Sequence, residues 1–81
     1  MQQWPDYPVY VRAVGFHPWW LNYKRQCERG QRRKLMRSSD IGALIACYNR
    51  EDAERLCSYL HNNTLGDIDV DIVKAPTRIN E

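Results

Sequence analysis

Residues 31–48 read QRRKLMRSSDIGALIACY, and the fold depends on what this stretch becomes. The run IGALIACY, residues 41–48, is short and almost continuously apolar, which suits a strand buried on both faces. A helix capped by Ser38 or Ser39 is the competing reading, because periodicity cannot separate the two in so short a run. The upstream part, QRRKLMR, reads as a short strand, and Ser38-Ser39-Asp40 as the turn between the two. If 41–48 is helical, three strands at most remain in the chain.

The neighbouring segments are easier to read. In NREDAERLCSYLHN, residues 49–62, Ala53, Leu56, Cys57 and Leu60 recur at i, i+3, i+4 and i+7, one apolar face of a helix. Asn49 is a good N-cap and Asp52 stands three residues on, as in a capping box. Glu51, Asp52 and Glu54 fall in the first turns, where the helix dipole favours negative charge. A helix is expected over about 50–62. In the following DIDVDIVKA, Ile68, Val70 and Ile72 alternate with Asp69 and Asp71, the pattern of a half-buried strand with an acidic outer face. Pro76 cannot donate to a sheet ladder, so that strand should stop near it.

Upstream, YPVYVRAVGF is rich in β-branched and aromatic residues and predicts a strand over about 8–16. The next segment, HPWWLNYKRQCERG, has Pro18 suited to a first helical position and Gly30 suited to the position past the end. Trp20, Tyr23 and Cys27 share one face of the implied helix over 18–29, so Trp20 and Tyr23 are expected to be buried. Trp19 points about 100° away from Trp20 and is the expected exposed aromatic. The element order becomes β-α-β-β-α-β, which resembles the ferredoxin-like, split βαβ arrangement. That resemblance implies a four-stranded antiparallel sheet with two helices on one face. Its central strands would be the first and third, and the charged second and fourth strands would be edges that resist unwanted pairing.

Eighty-one residues, 43% hydrophobic and 27% charged, describe one small folded domain spanning 1–81, with flexible ends expected at about 1–6 and 76–81. The net charge of +2 conceals a polarity. Residues 1–40 hold eight basic and three acidic side chains, whereas residues 41–81 hold four basic and seven acidic. Such asymmetry suits a nucleic acid or an acidic partner, or complementary edges of one fold or of two packed copies. Three cysteines, Cys27, Cys47 and Cys57, cannot all pair within one chain, and no Cys-x-x-Cys occurs. Reduced thiols and a cytoplasmic protein are the expectation. The N-terminus shows neither a basic n-region nor a long apolar run, so no signal peptide or membrane span is read. Asn62-Asn63-Thr64 matches a glycosylation sequon and, with no secretory signal, is read as chance.

Motifs for catalysis are weak. DIDVD begins like an EF-hand loop, but the sixth and twelfth positions hold Ile72 and Arg78 where Gly and Glu are required. His17, His61 and the cysteines lack a close ligand pair for zinc. Cys27 stands among Lys24, Arg25 and Arg29, which would lower its pKa, but no base accompanies it in sequence. The four glycines form no phosphate loop. No catalytic residue, cofactor, metal or small-molecule substrate is expected.

Two surfaces remain. A basic surface is expected from Lys24, Arg25, Arg29, Arg32, Arg33, Lys34 and Arg37, enough to neutralise several phosphates. The ferredoxin-like class includes the RNA recognition motif, which stacks bases on aromatics of its central strands. This chain offers Tyr10 on the first strand and Tyr48 at the end of the third, but IGALIACY lacks that family's basic-Gly-aromatic signature, so that RNA site is not expected. The second surface is the sheet face away from the helices. If Val9, Val11 and Ala13 face the helices, then Tyr10, Arg12, Val14 and Phe16 face outward, and if Ile45 faces in, Leu44, Ala46 and Tyr48 face out. An apolar patch of that kind marks a protein interface, with a partner protein or with a second copy in a homodimer.

The stretch RKLMRSSDIGALIACYNREDAERLCSYL, residues 33–60, resembles a pattern of small phage- and plasmid-borne proteins. In that pattern a basic strand leads through a turn to a strand ending in an aromatic, then to a helix opening REDAE. The resemblance implies an accessory or inhibitor protein of a mobile element that docks to a larger protein complex. It carries no catalytic residues. The alternative expectation is a nucleic-acid-binding protein that uses the basic segment 24–37.

Overall fold

A computed structural model of the chain describes residues 9–74. The expected loose ends, the strand start at residue 8, the stop at Pro76 and the EF-hand position Arg78 lie outside the described residues. The elements are β1 (Val9–Val14), α1 (Pro18–Glu28), β2 (Leu35–Ser38), β3 (Gly42–Cys47), α2 (Arg50–Thr64) and β4 (Asp69–Val73). The domain is α+β, with one four-stranded sheet in the order β2-β3-β1-β4 and every pairing antiparallel.

The ambiguous run 41–48 is a strand. β3 pairs on both sides, with β1 from Val9↔Cys47 to Val14↔Gly42 and with β2 from Leu35↔Ile45 to Ser38↔Ala43. A central strand is buried on both faces, and Ala43, Leu44 and Ile45 are each fully buried. Their apolar run is therefore continuous rather than alternating. The preceding turn closes with Ser39 N–H donating to Gly42 O at 2.9 Å and Gly42 N–H donating to Ser39 Oγ at 3.0 Å.

Alternate residues of the two central strands form the floor of one core. Val11 and Ala13 of β1 and Ala43, Ile45 and Cys47 of β3 pack with Trp20, Tyr23 and Cys27 of α1 and Ala53, Leu56 and Leu60 of α2. Both helices therefore cover the same face. Ile68, just before β4, joins this core, and Val70 and Ile72 pack against it, as the alternation in DIDVDIV predicts. Gly15 follows β1 where Ile68 crosses it. A Cβ there would stand 2.7 Å from the Ile68 Cβ and 3.0 Å from its Cα, so only glycine fits.

The helix caps follow from local chemistry. His17 caps α1 by accepting from the Trp19 N–H through Nδ1 at 3.1 Å, and Pro18 opens the helix. Asn49 caps α2 by accepting from the Asp52 N–H at 2.8 Å. α2 runs to Thr64, two residues beyond expectation. Buried Thr64 donates its hydroxyl back to Leu60 O at 2.8 Å, so a polar side chain ends the helix without an orphaned group. The expected strand over 31–37 is shorter and shifted. Residues 31–33 form bends, Lys34 O accepts from the Ala46 N–H at 3.0 Å, and β2 begins at Leu35, with a register irregularity between Leu35 and Arg37.

Candidate functional site

The last turn of α1, the connection 29–34 and β2 make one margin of the molecule. Past the helix the chain folds back, with Gly30 N–H donating to Cys27 O at 3.0 Å and Gln31 N–H to Gln26 O at 2.9 Å. Gly30 supplies the positive φ of +78° that the reversal needs. The segment therefore lies against the helix end, and consecutive basic residues point in different directions.

Arg33 turns inward. Its two terminal nitrogens donate to Asp52 Oδ2 at 2.8 Å and Oδ1 at 2.9 Å, a bidentate pair. Asp52 also accepts from the Tyr48 N–H at 3.1 Å. This carboxylate thus serves the residue before the N-cap and the arginine rather than closing a reciprocal capping box. The Arg33 hydrogen bonds hold its pKa below the usual carboxylate range, against the desolvation of burial. The pair clasps the connection to the start of α2.

Lys24 is also removed from the expected basic surface. It is buried, with Nζ donating to Glu28 Oε2 at 2.9 Å and to Ser38 Oγ at 3.5 Å. Ser38 also donates to the same Glu28 oxygen, so this trio ties α1 to β2. Those bonds, Ser38 first and Lys24 second, lower the Glu28 pKa. Of seven basic residues, five remain exposed: Arg25, Arg29, Arg32, Lys34 and Arg37. None of the five is in an ion pair among the described residues. Arg32 donates from Nε to the neutral Gln26 Oε1 at 2.7 Å, and its guanidinium carbon lies 5.9 Å from the Tyr23 ring centroid.

The sheet face away from the helices differs from expectation. Tyr10 and Leu44 are 6% and 0% exposed, in a second small core with Val14, Ala46 and Val73 packed against them. Arg12 lies on that face but pairs with Asp71, with nitrogen–oxygen distances of 3.3 and 3.2 Å. Phe16 and Tyr48 are 72% and 77% exposed. They stand at opposite ends of the sheet, because Phe16 follows the Val14↔Gly42 pair and Tyr48 follows the Val9↔Cys47 pair. The expected continuous outward patch of Tyr10, Arg12, Val14, Phe16, Leu44 and Tyr48 is thus two separate aromatics flanking a buried centre.

Trp20 and Tyr23 are buried as the spacing predicts, and Trp20 donates its indole N–H to Ile41 O at 2.8 Å. Trp19 is not the exposed aromatic. It is half-buried, stacked on Tyr23 with centroids 5.2 Å apart and edge-on to Tyr59 at 5.4 Å. The signal was present: Trp19 and Tyr23 are four residues apart and share a helical side. Tyr59 and the Arg33–Asp52 clasp leave no local signal in the sequence, because their partners come from distant segments.

The three cysteines are free. Burial pushes the Cys27 thiol up despite the cations near it, and pushes Cys47 up to about 11. Neither is a thiolate nucleophile near neutral pH. Among the described residues no group of three His, Cys, Asp or Glu side chains is placed to hold a metal ion. No helix among them is long and apolar enough to cross a membrane.

One cleft gathers charge and an aromatic ring. It is about 600 Å³, lies between the basic connection and the end of β3, and is lined by Arg32, Arg33, Lys34, Ala46, Cys47 and Tyr48. No family model matches the chain, and neither the curated proteins nor the solved structures yield a match.

Proposed function

We propose that this chain is a non-catalytic binding domain that docks on a polyanionic partner through its basic margin. The observation that carries this reading is the set of exposed cations, Arg25, Arg29, Arg32, Lys34 and Arg37, with no ion-pair partner among the described residues. A run of five cations on one short segment repels itself, and an acidic partner relieves that repulsion. The scaffold is read as ferredoxin-like, supported by the element order and by β1 and β3 at the centre of the sheet. An accessory or inhibitor role beside a larger complex in the cytoplasm remains the biological reading, in keeping with the pattern of 33–60. The docking surface moves from the sheet face to the basic margin, because Tyr10 and Leu44 are buried.

The test is a triple replacement, Arg32→Ala, Lys34→Ala and Arg37→Ala, which spares the structural Arg33 and Lys24. On a heparin column the variant should elute at clearly lower salt than wild type, with unchanged circular dichroism. Equal elution would show that the margin is only a solvated face and would overturn the reading.

A further inference from the structure

The chemistry around Tyr48 narrows the class of polyanion. The Tyr48 side chain is 77% exposed, so no core holds it. Its backbone is nevertheless fixed, since the Tyr48 N–H is bound by the Asp52 carboxylate that Arg33 grips on both oxygens. A large ring is thus presented to solvent from a pinned turn, at the mouth of a cleft of about 600 Å³. Arg33 lines the same cleft, but its charge is matched by Asp52. Arg32 and Lys34 supply positive charge with no ion-pair partner among the described residues.

We propose that this cleft binds single-stranded nucleic acid, with a base stacked on Tyr48 and the adjoining phosphates held by Arg32 and Lys34. This rests on the polyanion reading and names its partner. An acidic peptide would satisfy the cations but would bring carboxylates to the electron-rich face of the ring, where a negative charge is repelled. A nucleotide brings both complements at once, an anionic backbone and a flat π-surface beside it. In a duplex the bases are stacked on one another and their faces are not offered, so the tyrosine selects the unpaired strand.

The experiment is fluorescence anisotropy with labelled oligothymidylate, an abasic oligomer of the same length, a duplex and labelled poly-glutamate. Wild type should bind oligothymidylate more tightly than the abasic oligomer or the duplex. Tyr48→Ala should weaken oligothymidylate binding roughly tenfold and leave the abasic oligomer unaffected, while Tyr48→Phe keeps wild-type affinity. Circular dichroism of Tyr48→Ala should be unchanged, as the ring is outside the core. Equal affinity of Tyr48→Ala and wild type, or equal binding of duplex and single strand, would overturn the proposal. Binding of poly-glutamate alone would overturn it too and leave the basic-margin reading standing. If no polyanion binds, both fall together.

Discussion

Arg33 and Lys34 are neighbours in sequence with the same formal charge, and the structure gives them opposite work. Lys34 is exposed at the margin, whereas Arg33 is bonded to Asp52 and has its charge matched there. The pair should matter to stability in a pH-dependent way. Because the folded-state pKa of Asp52 is lowered, its contribution is fully present above the ordinary value of 3.8 and is lost as pH falls through the folded value. Glu28, lowered from 4.5, acts in the same direction, but it is more exposed and contributes less. Urea denaturation should therefore show stability falling below about pH 4. Asp52→Asn should cost about 1–3 kcal/mol at pH 7 and flatten that acid limb. Leu44 makes a second prediction. With the side chain 0% exposed, Leu44→Glu should destabilise the fold by about 3 kcal/mol or more, visible in circular dichroism melts. A folded variant of undiminished stability would mean that this face is open after all. Gly15→Ala should cost about 1–3 kcal/mol, because the new methyl meets Ile68 and its backbone.

Legibility in the sequence followed how local each element's cause is. α2 is legible because its period, cap and acidic first turn all lie in one local stretch, and only its last two residues, 63 and 64, extend past that signal. The strand alternation ending in β4 was equally local. For β3 the sequence could not decide, since burial on both faces erases the alternation that identifies a strand. Its identity comes from two neighbours that contribute the ladders. β2 is shorter than its sequence suggests because a basic run looks alike in a strand and in a loop, and the Arg33–Asp52 clasp that holds the 31–33 connection joins residues 19 apart in sequence. Part of the candidate site was legible in the same sense. Charge alone points to Arg25, Arg29, Arg32, Lys34 and Arg37, while it cannot separate Lys24 and Arg33 from them, because charge does not reveal a partner. The two helices are joined by an aromatic cluster, with Tyr59 of α2 edge-on to Trp19 and Tyr23 of α1 at 5.4 and 5.9 Å. A double-mutant cycle on Trp19→Ala and Tyr59→Ala should give a coupling of about 0.5–1.5 kcal/mol in denaturant unfolding. Strict additivity would show that the rings pack independently.

Across the whole molecule, the polarity seen in the two halves of the sequence becomes a polarity of place. The positive charge gathers at the end of α1 and along the β2 edge, and Asp67, Asp69 and Asp71 lie exposed in and just before β4 at the other edge. Both edges carry charge, and β2 also carries a register irregularity, so neither invites strand-to-strand association. What the basic edge does offer is a concentrated positive field, and binding through that edge should use it. The most direct test is the salt dependence of oligothymidylate binding, measured for wild type and for the Arg32→Ala, Lys34→Ala, Arg37→Ala variant. For a single strand, log affinity falls with log salt by about 0.7 per phosphate neutralised. Five engaged cations would give a slope of about −3.5, and removing three should bring it to about −1.4. A wild-type slope near zero, or the same slope in both proteins, would contradict the claim that the basic margin is the binding surface.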